Sequence, residues 1–338
     1  MSDKMPSLTP VSEGAVPLIE LWRGEILESL HLGHAVVMRD TGEVVESWGR
    51  PEAQIYPRSS CKMVQALPLL ESGAGAELSP AHLALACASH QGGAAHVDRV
   101  ARWLADLGLD EADLRCGPQD PQDIDERDRL IIARESPCQL HNNCSGKHAG
   151  FLMLGQHMGA GSDYVDPDHP VQRAARAAFE EVTGLPSPGF GIDGCSAPNF
   201  ATSVAGLAHA VARFAAAGDE DARTRAMVRL REAMMLHPDL VAGEGRACTE
   251  LMRAMDGRAA IKTGAEAVFV AILPQARLGI ALKIVDGGVR AAEAAITALL
   301  VRHGALEATH PVVARYLGPT RNRRNIVTGE TRVAAGFT

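Results

Sequence analysis

The sequence carries no surplus of positive charge: 33 Lys and Arg stand against 41 Asp and Glu, a formal net charge of -8. It offers no basic surface on which phosphates would be held, so nucleic-acid partners are disfavoured. No run of about 18 apolar residues occurs, and no membrane span or membrane partner is expected. Residues 1–14 are polar, with one Lys and no apolar core. They do not read as a secretory signal, and the expected location is cytoplasmic. Seven cysteines, an odd count in a long chain without such a signal, argue against a disulfide scaffold. They read as reduced thiols, some buried as small hydrophobes and some available to a metal. Internal repeats, low-complexity tracts and long linkers are also missing. What remains is 338 residues with 46% hydrophobic and 22% charged side chains, enough for a large core in one domain or two intimate subdomains.

Residues 16–22 and 34–48 are β-like, the second stretch broken by the turn sequence Asp40-Thr41-Gly42-Glu43. From Ser59 to about Met255 apolar residues recur at three- and four-residue spacing between Gly, Pro and Asp punctuation, a helical pattern. Ser79-Pro80 opens one helix, and Asp168 reads as the cap of another running through Ala174, Ala177 and Phe179. Residues 116–128, rich in Asp, Gln and Pro, read as a surface loop. After Asp256-Gly257, residues 259–262, 267–273 and 278–285 are β-rich, and the alanine-rich residues 289–303 read as a helix. The expected fold is α+β: an antiparallel sheet built from both chain ends, residues 15–58 and 258–338, plus a large helical subdomain, 59–257. The whole chain, 1–338, would form a single catalytic domain with its site in the crevice between sheet and helices.

Two short strings carry chemistry. Ser59-Ser60-Cys61-Lys62 and Lys262-Thr263-Gly264 reproduce two of the three signatures of serine β-lactamases and penicillin-binding enzymes, in a β-lactamase-like order of elements. A serine hydroxyl is a poor nucleophile near neutrality, and a lysine three residues on shares its helical face and takes the proton if its own pKa is lowered. Only Ser59 has that relation to Lys62, so Ser59 is the expected nucleophile; the bland alternative is a serine capping the helix of Lys62. Lys262, ending an apolar run, would face Lys62 across the crevice with a depressed pKa or as a fixed charge. The third signature, S-D-N, is missing. In its stretch stands Ala88-Ser89-His90-Gln91-Gly92-Gly93, where Ser89 is a candidate second hydroxyl for Lys262, or with His90 simply a helix C-terminal turn.

The densest polar cluster is Asn142-Asn143-Cys144-Ser145-Gly146-Lys147-His148-Ala149-Gly150, opening an apolar helix, and a second glycine-rich turn, Gly191-Ile192-Asp193-Gly194-Cys195, bears another cysteine. Cysteine beside an amine or imidazole suits zinc, yet this spacing matches no standard zinc motif, and from the residues alone buried inert thiols are the favoured reading. Cys61, Cys87, Cys116 and Cys138 follow no pattern and default to core or loop positions.

Arg58-Ser59-Ser60-Cys61-Lys62, Ala88-Ser89-His90, Cys144-Ser145-Gly146-Lys147-His148-Ala149-Gly150, Asp193-Gly194-Cys195 and Lys262-Thr263-Gly264-Ala265-Glu266 together resemble the rhizobial-type (class 3) L-asparaginases, the asparaginase II family. The likeness spans nearly the whole chain, and the C-S-G-K-H string discriminates far better than S-x-x-K. The resemblance implies a serine β-lactamase and glutaminase-like fold and a homodimer. It implies two Ser-Lys pairs, Ser59 with Lys62 and Ser89 with Lys262, acting through a serine acyl-enzyme on the side-chain amide of L-asparagine. It also implies Zn2+ held by Cys144, Lys147 and Cys195, with Asp193 reaching it through water. A lysine ligand must be neutral, which a neighbouring dication favours. Two thiolates would neutralise the ion, so the expected zinc is structural or substrate-orienting. Cys248 resembles a family cysteine near the pocket, and Arg58 is a candidate for the substrate's α-carboxylate. A glutaminase differs only by one methylene of pocket depth, worth about 1 to 3 kcal/mol. A β-lactamase or D,D-peptidase would meet its target outside the cytoplasm, and against a non-catalytic amino-acid-binding protein stands the retention of both serines and both lysines.

Overall fold

The computed structural model describes residues 10–337. The first nine residues of the polar 1–14 stretch lie outside the described residues. Both chain ends enter one antiparallel sheet. From the N-terminal part come β1 (Val16–Arg23), β2 (Ile26–Arg39) and β3 (Val44–Trp48). Short strands β4 (Gln54–Ile55), β5 (Phe190–Ile192), β6 (Pro198–Phe200) and β7 (Thr202–Ser203) form two small ladders, β4 with β7 and β5 with β6. The large sheet resumes with β8 (Ala260–Gly264), β9 (Val268–Leu273) and β10 (Leu278–Ile284) and ends with β11 (Gly318–Arg321) and β12 (Val327–Val333). Its eight strands run β11-β12-β1-β2-β10-β9-β8, with β3 also paired to β2. The two chain ends meet where Ile19 of β1 lies opposite Val333 of β12.

β9 and β10 are buried at every residue, which a strand tolerates only when both faces of its sheet are covered. The helices Val204–Ala216 and Val289–Arg302 provide the cover. The first approaches so closely that a Cβ on Gly279 would lie 2.2 Å from the Ala212 nitrogen and 2.4 Å from the Ala208 oxygen. Glycine in the strand facing alanines on the helix is what permits that spacing. Apart from the short helix Pro311–Tyr316 near the C-terminal end, the remaining helices lie between residues 62 and 255, and one hydrophobic core runs through sheet and helices alike. Among the described residues no helix is long and apolar enough to cross a membrane.

The α+β expectation holds, with local corrections. β2 begins at Ile26 rather than at residue 34. Ile26, Leu27 and Leu30 are exposed, so no inward-outward alternation marks the stretch, and it is held by its ladder to β1. β12 was not foreseen because its polar sequence presents half-exposed residues at an outer part of the sheet. The helix Pro170–Thr183 is capped by His169, not Asp168: proline at the first helical position fixes the cap one residue before it, and His169 Nδ1 accepts the Val171 N–H at 3.2 Å. Residues 116–128 are not all surface loop. Cys116 is buried, and a helix starts at Ile124, with Asp123 accepting the Glu126 N–H at 2.9 Å.

Candidate active site

Arg58 stands immediately before Ser59 in the left-handed region, φ 54°, a conformation unfavourable for a residue with a Cβ. It is over-determined there by its partners. Its N–H donates to Asn199 Oδ1 at 3.2 Å, and its guanidinium donates through Nε and Nη2 to Asp193 Oδ1 at 3.0 and 2.7 Å. The kink starts a short 3₁₀ turn, Arg58–Cys61, continuing into the helix Lys62–Gln65. Ser60 is buried and spends its hydroxyl on Pro57 O at 2.7 Å, whereas Ser59 is half-buried and lines a cleft. Of the two serines, only Ser59 is presented to a substrate. The glycine of the K-T-G string has a steric cause: a Cβ on Gly264 would lie 2.5 Å from Pro57 O and 3.1 Å from Ser60 N. Gly264 lets β8, which carries Lys262, press against the turn that carries Ser59.

The two lysines meet at Ser89. Lys62 Nζ donates to Ser89 Oγ at 3.0 Å and to Ala88 O; Lys262 Nζ sits 2.8 Å from the same Ser89 oxygen and 2.8 Å from Thr263 O. Both lysines are 1% exposed. Two ammonium ions bound to one oxygen are within about 6 Å of each other and repel by roughly 3 kcal/mol at an effective dielectric near 20. Burial and then the charge of Lys62 push Lys262 down to about 7. A neutral Lys262 amine accepts the Ser89 proton while Lys62 donates to the same oxygen. The expected Ser89–Lys262 partnership is present. Lys62, expected beside Ser59, is turned to Ser89, and Ser59 Oγ has no hydrogen bond among the described residues.

The Ser89 turn is held from beneath. His90 is fully buried, with Nδ1 accepting the Gly92 N–H at 3.1 Å, so its proton is on Nε2 and goes to Ser145 Oγ at 2.9 Å; Ser145 in turn donates to Leu140 O at 3.0 Å. Burial, then His96, holds His90 well below the ordinary imidazole range, which suits this neutral tautomer. The role of His90 is support.

Beside the cleft, Cys144 stands just before the helix Ser145–His157 and brings its thiol to Cys195, while Lys147 Nζ on that helix lies 3.1 Å from Cys195 Sγ. The helix is admitted by Gly146, whose Cβ would lie 2.5 Å from Leu85 O. The Cys144 thiol, then the Lys147 charge and His148, lower Cys195 well below the usual thiol range, with burial opposing. Cys144, a free thiol like Cys195, is raised by its hydrogen bond to the Cys195 sulfur and then by burial. Burial works against the Lys147 charge, but the Cys195 and Cys144 sulfurs outweigh it and raise Lys147. His148 Nε2 is buried without a hydrogen-bond partner and is influenced by Cys195, its Nδ1 being held by Tyr164 at 2.8 Å. Among the described residues no three His, Cys, Asp or Glu side chains converge as a metal site. The donor set here is two sulfurs and an amine, with an orphaned imidazole behind them, and those donors fit a borderline-soft ion of the zinc kind. Asp193 keeps its Oδ1 on Arg58 and on the Gly194 N–H at 2.7 Å.

The cleft has a volume of about 280 Å³ and brings together Arg58, Ser59, Cys144, Asp193, Cys195 and Ala265. It also contains Pro118, Gln119, Asn142 and Asn143, which the sequence reading left out of the site. Gln119 Oε1 accepts the Asn143 N–H at 3.1 Å, and Asn142 Oδ1 accepts the Cys144 N–H at 2.9 Å. The sequence signal for them is the polar density of residues 142–143. Cys248 is buried and does not line the cleft; its Sγ accepts the Thr263 N–H at 3.3 Å. A mostly apolar hollow of about 300 Å³ shares Arg58 with the cleft and contains none of Ser59, Lys62, Ser89 or Lys262.

Among solved structures the chain is similar to a β-lactamase from Mycobacterium bovis, at 13% identity over 80% of this chain and 94% of that one, TM-score 0.43. It is similar to the D-alanine carboxypeptidase AmpC from Burkholderia cenocepacia, at 14% identity over 80% and 93%, TM-score 0.40. It is also similar to Mglu in its glutamate form, at 15% identity over 81% of this chain and 61% of that one, TM-score 0.45. No curated protein matches the sequence significantly. The family model of L-asparaginase II matches residues 19–333, nearly the full length, and the chain belongs to that family.

Proposed function

We propose that the protein hydrolyses the side-chain amide of L-asparagine to L-aspartate and ammonia through an ester on Ser59. The observation that carries this reading is the convergence of Lys62 and Lys262 on Ser89 Oγ, with Ser59, on the turn that leads into Lys62, lining a cleft that contains none of those three residues. Ser59 Oγ attacks the carboxamide carbon and gives its proton to Lys62 as Lys62 hands one of its own to Ser89 Oγ and Ser89 passes its proton to the neutral Lys262. The backbone N–H at the start of the Ser59 turn stabilises the oxyanion. As the C–N bond breaks the leaving nitrogen takes the proton back and departs as ammonia. Water then cleaves the ester with the same groups acting as base. Arg58, sharing Asp193, receives the substrate's α-carboxylate. Cys144, Lys147 and Cys195 would hold zinc, whose charge would orient the polar end of the substrate in the cleft.

A second reading has a specific observation behind it. Ser89 is the hydroxyl on which both amines sit, which favours Ser89 as the nucleophile; against it, Ser89 is 7% exposed and Ser59 faces the cleft. The test of function is release of ammonia from L-asparagine and L-glutamine, read in parallel with a chromogenic β-lactam. Turnover of asparagine ahead of the other two is expected. Inertness toward asparagine with turnover of either other overturns the proposal, and tight binding of asparagine without turnover replaces it with an amino-acid sensor.

A further inference from the structure

The mostly apolar hollow of about 300 Å³ takes no part in the proposed reaction, yet it shares a wall with the cleft. Arg58 lines both spaces, and the turn between β8 and β9 divides between them, Ala265 lining the cleft and Glu266 the hollow. The backbone of that wall is strained. Arg58, Glu266 and Ala267 stand in the left-handed region at φ 54°, 57° and 56°, and none is the glycine or asparagine that such positions favour. Strain of this kind collects at ligand clamps and switch regions. Lys283 of β10 fastens the turn: its Nζ donates to Glu266 O, and Ala267 O accepts the Ile284 N–H at 3.1 Å.

Ile55, Tyr56, Pro188 and Ala201 give the hollow its apolar lining, and its polar groups have bonding capacity left over. Lys283 is 8% exposed and gives two of the three protons of an ammonium to backbone carbonyls, Glu266 O and Ile284 O. Among the described residues no carboxylate forms an ion pair with it. Arg58 spends Nε and Nη2 on Asp193 and leaves Nη1 4.0 Å from Glu266 Oε1. Gln54, also in the lining, has its Oε1 buried without a hydrogen-bond partner. A buried ammonium with a spare proton and an open guanidinium edge suit an anion, whereas the Glu266 carboxylate and the Gln54 oxygen suit a cationic donor. A small molecule with a carboxylate, an ammonium and an aliphatic body answers both and fills the apolar part.

We infer that the hollow is a regulatory site for an aliphatic α-amino acid, whose carboxylate takes Arg58 Nη1 and the third Lys283 proton, whose ammonium takes Glu266 and Gln54, and whose side chain lies against Ile55 and Pro188. Occupation draws the Arg58 guanidinium and the 265–267 turn toward the hollow. The consequence for turnover rests on the amidohydrolase reading, in which Arg58 receives the substrate's α-carboxylate. Asparagine is then held less tightly, while the serines and lysines that perform the chemistry lie outside the hollow, so KM rises and kcat is kept.

The native full chain is titrated calorimetrically with L-leucine as the probe, beside leucinamide, which lacks the carboxylate, 4-methylpentanoate, which lacks the ammonium, and glycine, which lacks the aliphatic body. Expected is saturation at about one leucine per chain by about 5 mM, with each of the other three at least about tenfold weaker. Ala201→Leu, which fills the apolar part, and Glu266→Gln, which removes the charge facing the ammonium, should each weaken leucine at least about tenfold. No saturation at that concentration, equal binding of any of the three analogues, or undiminished binding in either folded variant overturns the site. Should a variant fail to fold, the analogue series on the native chain decides. With leucine saturating, KM for asparagine should rise about five- to tenfold and then level off, with kcat unchanged. A KM that climbs in proportion to leucine without levelling places leucine in the cleft and overturns the site; an unchanged KM with leucine bound overturns the coupling. A chain that binds leucine with these preferences and is inert toward asparagine sinks the amidohydrolase reading alone, because the heats do not depend on turnover.

Discussion

Lys62 and Lys262, far apart in the chain, place their amines 3.0 and 2.8 Å from one atom, Ser89 Oγ. Neither partner alone accounts for the depressed Lys262. Burial disfavours its charge, and Lys62 disfavours it further, with the nearby thiols opposing only weakly. The hydroxyl between them is polarised by a donor on one side and an acceptor on the other.

The first consequence is a pH profile. With Lys262 titrating at about 7, kcat/KM for asparagine should rise as pH passes through about 7 and level off above it. Lys262→Arg keeps the charge at every pH and should lower kcat/KM at least about a hundredfold. Stability follows the same group. Unfolded lysine holds its proton to about 10.4, so between about 7 and 10.4 the unfolded chain binds more protons and this contribution to stability falls as pH drops. Lys262→Met removes it, and should resist urea better below pH 7 by on the order of 1 to 3 kcal/mol while being inactive. A variant that is both inactive and less stable there would contradict the electrostatic account.

The two serines separate by what each deletion leaves behind. Ser59→Ala should abolish the trapped acyl-enzyme in rapid-quench mass spectra and lower kcat by about 10⁴ or more. Ser89→Ala should lower kcat by about 10² to 10³ and still show the ester, because it removes the bridge between the lysines and leaves the nucleophile. An ester that survives Ser59→Ala and vanishes with Ser89→Ala would transfer the nucleophile to Ser89.

Much of this was legible in the sequence because it lies in short strings with a local cause. The i, i+3 spacing put Ser59 before Ser60 as the candidate; in the structure Ser60 spends its hydroxyl on Pro57 O and Ser59 lines the cleft, but not through the Ser59–Lys62 pairing from which the spacing argued. Sheet from both chain ends was readable in the apolar runs of β9 and β10. The turning of Lys62 to Ser89 was not, since it depends on where the helix Pro80–Ala86 delivers the next turn, a long-range packing outcome. Gln119 was equally out of reach, because it joins the cleft through its bond to the Asn143 N–H, between segments whose proximity no periodicity announces.

Gly264 should be sensitive to a single methyl. Its Cβ would fall 2.5 Å from backbone, not from a movable side-chain tip, so Gly264→Ala must push β8 away from the Ser59 turn. Expected are a loss of about 1 to 3 kcal/mol in urea unfolding and a fall in kcat exceeding what a folded fraction would explain. Gly279→Ala, with a comparable clash against Ala212 and no contact with the cleft, should cost similar stability with kcat per folded molecule retained. Equal effects of the two on kcat would show that the K-T-G glycine has no special part in placing the site.

The proposed zinc ligands predict a proton balance as well as a metal content. Lys147 is raised and Cys195 lowered by one another, so binding a dication through both requires Lys147 to lose a proton and the Cys144 thiol to lose another. Titration of chelator-treated protein with Zn2+ in weak buffer should therefore release protons and weaken steeply as pH falls, saturating at about one ion per chain by elemental analysis. Cys195→Ala and Lys147→Ala should each lose at least about tenfold in affinity, and His148→Ala should weaken binding by a similar factor if its unpartnered Nε2 orients the Cys195 sulfur. Release of about one proton instead of about two would mean that only the Cys144 thiol ionises and that Lys147 keeps its charge, an ion-pair partner of Cys195 rather than a ligand.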